Sequence, residues 1–140
     1  MIKIYTDAAT KGNPGPSGIG FVLVGKDLYQ QMVVPLEGYY SNHEAEFIAL
    51  VKGLTYLVDH NMTTDMLQIF SDSKIVVSAL EKNYVKNEVF KPHLQQLKLL
   101  LKHFELYLIE WIPDSQNKGA DNLARQALRK VLKSSDSTKA

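Results

Sequence analysis

The sequence predicts an α/β fold, a mixed five-stranded sheet flanked by helices. Three observations carry that prediction. The apolar pattern has a period of two in the N-terminal third and a helical period after it. Glycine- and proline-rich turns connect the first apolar segments closely enough for an antiparallel meander. The elements then run three strands, helix, strand, helix, helix, strand, helix, an order that suits one sheet covered by helices.

Each element has its own signal. Ile2, Ile4 and Thr6 alternate with Lys3, Tyr5 and Asp7, the pattern of a half-buried strand. After the turn Gly12-Asn13-Pro14-Gly15-Pro16, strands are expected over 18–24 and 28–36. Phe47, Leu50, Val51, Leu54, Leu57 and Val58 share one helical face, and Asn61 closes that helix. A short apolar strand follows over 66–70, then a helix over 73–80 and an irregular basic segment over 82–87. Leu94, Leu97, Leu101 and Phe104 mark another helix, 106–112 a last strand, and 117–133 a terminal helix with Ala124, Ala127, Leu128 and Val131 on one stripe. The small polar residues 134–140 are expected to form a disordered tail beyond a single domain spanning 1–133.

With 140 residues and 45% hydrophobic content, the chain is long enough to bury a core. It has no cysteine, which excludes disulfides, zinc–thiolate sites, iron–sulfur clusters and a cysteine nucleophile. No apolar run approaches the ~20 residues of a membrane span, and Met1-Ile2-Lys3-Ile4-Tyr5 lacks a signal-peptide core. The expectation is a cytoplasmic monomer with no membrane partner. The formal charge is only +1, but it is unevenly spread. Residues 74–102 hold six lysines against two glutamates, and residues 118–133 hold five basic residues against Asp121 alone. Such faces bind phosphate even when the total charge is small, although solvated helices also carry lysine.

Four carboxylates stand in telling positions. Asp7 lies at the end of the first strand, and an acid there is costly unless paired or metal-bound. Glu46 precedes Leu50 by four residues and Leu54 by eight, so it falls on the core-facing stripe, whereas Glu44 lies about 200° round the helix. Asp72 separates a strand from a helix, where an N-cap is the competing role and Ser71 and Ser73 compete for it. Asp121 precedes Ala124 by three and Leu128 by seven, again on the inward stripe. Asp121 and Glu46 could equally serve the helix dipole from an early turn. Acids gathered at one end of a sheet repel, so a cluster implies a cation. Oxygen donors without a histidine–cysteine set favour magnesium or manganese. Neutralising the four would raise the formal charge to +5, which suits a polyanion.

These residues carry a resemblance. Tyr5-Thr6-Asp7-Ala8-Ala9 followed by the glycine-rich turn through Gly20, then Ser41-Asn42-His43-Glu44-Ala45-Glu46, Ser71-Asp72-Ser73 running into Val76-Val77, and Trp111-Ile112-Pro113 followed by Asn117 and Ala120-Asp121-Asn122-Leu123-Ala124 together resemble the ribonuclease H family, type 1. The match extends from about Lys3 to Ala127. It implies a ribonuclease H-like fold and hydrolysis of the RNA strand of an RNA–DNA hybrid by Asp7, Glu46, Asp72 and Asp121. Those acids would hold two Mg2+ or Mn2+ ions, which activate water on one side of a phosphate and stabilise the leaving oxygen on the other. Asp7 would bridge both ions. The resemblance also assigns Asn13 and Asn42 to substrate binding, through 2′-hydroxyl contacts in the minor groove.

The sequence departs from the family pattern in two places. The loop before the last acid, Asp114-Ser115-Gln116, has no histidine, and Asp114 is either an extra acid or a turn residue. The stretch 83–88 has no room for an inserted basic helix, although Lys82, Lys86 and Lys91 lie nearby. Two other readings therefore stand beside hybrid cleavage: a weakly active or inactive nucleic-acid-binding module, and a DNA or junction nuclease of the same fold. Tyr39 and Tyr40 are placed either to stack on sugars and bases or to pack at a strand end. Trp111 reads as a core or near-core residue, His103 as a surface residue and His43 as a helix-start residue.

Overall fold

The computed structural model describes residues 1–139, with side chains to residue 134. Strands β1 (Ile2–Thr10), β2 (Ser17–Gly25) and β3 (Leu28–Pro35) form the expected meander. Then come α1 (Asn42–Asp59), β4 (Leu67–Ser71), α2 (Lys74–Lys82), α3 (Lys91–Leu101), β5 (Tyr107–Trp111), a 3-10 turn (Asp114–Gln116) and α4 (Lys118–Lys139). The sheet order is β3-β2-β1-β4-β5. The helical trace of α4 passes Lys133, where the periodicity suggested an end, and reaches Lys139. The side chains of residues 135–140, most of the expected tail, lie outside the described residues. Among the described residues, no helix is long and apolar enough to cross a membrane.

The register explains how the sheet gathers groups at one end. β1 is central, antiparallel to β2 and parallel to β4, with Thr6 opposite Ser71. The next residues, Asp7 and Asp72, therefore emerge side by side. β5 is parallel to β4, with Ser71 opposite Trp111, so the chain after Trp111 continues toward the same end. Carboxyl ends of parallel strands are where open α/β sheets place their ligands.

The helices pack on opposite faces. A Cβ on Gly53 of α1 would overlap Ile4 Cδ1, and Ile4 pairs with Leu23 on the same face. A Cβ on Gly20 would lie 2.5 Å from Leu123 Cβ and 2.7 Å from the Ala124 nitrogen of α4, and Gly20 pairs with Asp7. Hence α1 covers the Ile4 face and α4 the Asp7 face, each at backbone-close range that only glycine permits. Phe47, Leu50, Leu54 and Leu57 are fully buried, as the helical stripe required. Trp111 departs from the core reading: it is 42% exposed. β5 is an edge strand, so its faces are only partly covered. The Trp111 indole N–H donates to the Asp72 carbonyl at 3.0 Å, and Lys74 Nζ lies 5.2 Å from the ring centroid.

Candidate active site

Serines rather than acids cap the two helices that approach the sheet end. Ser41 Oγ accepts the Glu44 N–H at 3.1 Å at the start of α1. Ser73 Oγ accepts the Val76 N–H at 3.3 Å at the start of α2. Capping is thereby met without Asp72, whose carboxylate is left for other work. Glu46 lies on the second turn of α1, with its side chain 12% exposed. Glu44 points elsewhere, as the helical angle required: its Oε2 lies 2.8 Å from His93 Nε2 on α3.

Oxygen atoms of Asp7, Glu46 and Asp72 lie within 4.8 Å of one another. They line a pocket of about 230 Å³ together with Ala8, Asn42, Asp114, Asp121 and Arg125. All four acids picked from sequence thus meet, although Asp121 falls outside the tightest triad. Its Oδ2 forms an ion pair with Arg125 Nε at 3.0 Å, an i,i+4 pair on α4. Asn42 and Asn13 also meet: the Asn42 N–H donates to Asn13 Oδ1 at 3.2 Å, and Asn42 Nδ2 donates to Glu46 Oε1 at 3.1 Å. His43 is in the first turn of α1, and its Nδ1 lies 3.3 Å from Glu46 Oε2. His103 is exposed, as expected.

The electrostatics follow from burial and crowding. Asp7 is 8% exposed, and desolvation followed by the charge of Asp72 pushes its pKa up to about 8. The Ala8 N–H, donating to Asp7 Oδ1 at 2.8 Å, opposes that rise, while Asp121 adds to it. Asp72 is raised as well, chiefly by burial, with Asp114 and Glu46 contributing and a hydrogen bond from Asn117 opposing. At neutral pH such a pocket holds either protons or a cation. Its oxygen-only donors at this spacing fit a hard divalent ion.

Two pocket residues, Asp114 and Arg125, and Asn117 bonded to Asp72 behind them are legible in the sequence only in part. Asp114, left open between an acid and a turn residue, is in the 3-10 turn and raises the pKa of Asp72. Arg125 reads in the sequence as basic surface, though its i+4 spacing from Asp121 is a usable signal. Asn117, noted only within a motif, is buried, and its Nδ2 donates to the Thr6 carbonyl at 2.9 Å and to Asp72 Oδ2 at 3.2 Å.

Beside the pocket, a groove of about 380 Å³ is lined by Lys74, Lys82, Lys86, Tyr84, Ile75 and Phe90, among others. Lys91 is instead tied to Glu88 at 2.6 Å.

A protein-family model described as "Reverse transcriptase-like" matches residues 5–127. The chain is 53% identical over 130 residues to "Putative hydrolase EbsB" of Enterococcus faecalis, covering 93% of this chain and 96% of that one. It is 31% identical over 133 residues to "Ribonuclease HI" of Halobacterium salinarum, covering 91% of this chain and 64% of that one. A crystal structure of LC11-RNase H1 in complex with RNA/DNA hybrid superimposes with a TM-score of 0.81 at 26% identity, covering 94% of this chain and 99% of that one.

Proposed function

The chain belongs to the ribonuclease H family, type 1, and from that membership and its acid pocket we propose that it is a divalent-metal-dependent endonuclease hydrolysing the RNA strand of RNA–DNA hybrids. The observation that carries this reading is the meeting of Asp7, Glu46, Asp72 and Asp121 at the carboxyl end of β1 and β4, beside Asn13 and Asn42. Asp7, Glu46 and Asp72 would hold one Mg2+ or Mn2+ ion, and Asp7 with Asp121 a second. When bound, such ions supply activation of the attacking water and charge neutralisation at the phosphate. Asp7 must release its proton before it can serve as a ligand, so ion binding is coupled to pH.

The residues around the pocket divide the remaining work. Asn13 and Asn42 offer amide groups to 2′-hydroxyls, the feature that separates RNA from DNA. Lys74, Lys82 and Lys86 offer charge to a backbone, and exposed Tyr84 offers a stacking face in the same groove. The domain proposed for this activity spans residues 1–133.

The test is cleavage of an end-labelled RNA–DNA hybrid in Mg2+ or Mn2+. The wild type should cut the RNA strand, and Asp7→Asn or Glu46→Gln should lower the rate by about 10³-fold or more. Wild-type activity that survives both changes would refute the assignment. A second reading, a binding module with slow turnover, is favoured by the loop without histidine at 114–116. Hybrid binding without cleavage in either metal would select it, and faster cutting of duplex DNA would select a DNA nuclease.

A further inference from the structure

We propose that Asn117 is a positioning residue that turns Asp72 so that one of its two carboxylate oxygens is kept for a cation, an inference that rests on the metal-dependent reading above. Asn117 follows the 3-10 turn and is 1% exposed. Its single Nδ2 group serves two acceptors, the Thr6 carbonyl of β1 at 2.9 Å and Oδ2 of Asp72, just past β4, at 3.2 Å. Thr6 immediately precedes Asp7, so one amide joins the backbone behind the first acid to the side chain of the third. The Asn117 carbonyl accepts the Asp121 N–H at 3.0 Å, which ties the first turn of α4 to the same residue. Three of the four acids are thereby referred to one buried side chain and its backbone.

The amide is locked in orientation. Turning it over would set Oδ1 against two oxygen acceptors, and a carboxylate at this position would do the same. Asn117 Oδ1 is itself buried without a hydrogen-bond partner. Engaging Asp72 Oδ2 fixes the carboxylate plane and leaves Oδ1 as the oxygen without this bond. Outer groups that orient ligands in this way characteristically change ion affinity tenfold or more when removed.

The experiment is titration of Mn2+ into the full chain without nucleic acid, by calorimetry, with melting temperature and hybrid cleavage measured in parallel. Asn117→Ala should bind Mn2+ about tenfold more weakly and lose kcat, with KM for the hybrid within twofold of wild type. Leu97→Ala, a fully buried site on α3, should melt lower yet bind Mn2+ within twofold of wild type. If Asn117→Ala binds Mn2+ within twofold of wild type, the positioning role is overturned while the nuclease reading stands. If the wild type binds neither Mn2+ nor Mg2+, the metal reading itself fails and this inference with it. Should Asn117→Ala not fold, the side-chain amide of 15N-labelled wild type decides. Its resonance should shift on saturation with Mg2+, and an unmoved resonance overturns the proposal.

Discussion

The acid pocket and the neighbouring lysine groove differ in what holds them in place. The pocket takes Asp7 from the central strand β1 and Asp72 from the residue that directly follows its parallel neighbour β4, and Asp7 is buried. The lysines of the groove, Lys74, Lys82 and Lys86, are exposed side chains of α2 and of the irregular segment after it. Moving Asp7 or Asp72 therefore means moving the sheet, whereas the lysines can change without disturbing the fold. The proposed function sets reaction chemistry on the rigid part and substrate grip on the adaptable part.

That contrast can be broken at either end. The largest effect is expected at the pocket: Asp72→Asn should reduce hybrid cleavage by about 10³-fold or more in steady-state kinetics, with little change in hybrid affinity. A loss below tenfold would dissolve the distinction. An intermediate effect concerns pH. Asp7 in the folded chain holds its proton up to about pH 8, whereas the unfolded chain loses it near 3.8. Between those values the folded state binds more protons, so in chelator its stability should fall as pH rises across that window. Thermal melts should show a decline of about 5 °C that Asp7→Asn removes; a wild-type melting temperature that climbs from pH 5 to 8 would contradict the crowding described above. The smallest effect is expected at the groove. The double change Lys82→Ala with Lys86→Ala should weaken hybrid binding several-fold at low salt. It should also reduce the slope of log affinity against log salt by about 1 to 2, leaving kcat unchanged. An unchanged slope would remove the groove from the contact surface.

Much of the pocket was legible in the sequence because its signals are local. Glu46 and Asp121 declared themselves through helical spacing against Leu50 and Leu128, and Glu44 was set apart by the same geometry. What could not be read was long-range pairing. The parallel register of β1 with β4, which brings Asp7 beside Asp72, has no local signature. Asn117 hydrogen-bonds a carbonyl 111 residues away, so its partner was invisible along the chain. Trp111 misled because an apolar residue in a strand reads as core, while edge position is a property of the assembled sheet. Asp114 stayed ambiguous because a single turn residue has no periodicity to aim it.

In the proposed mechanism the pocket carboxylates repel one another until a divalent ion joins them. Melting temperatures of the wild type and Asp7→Asn, each in chelator and in Mn2+ at pH 8, test this most directly. The variant should melt higher than the wild type in chelator, and the order should reverse in Mn2+. A wild type that melts higher in chelator, or that gains nothing from Mn2+, would contradict it.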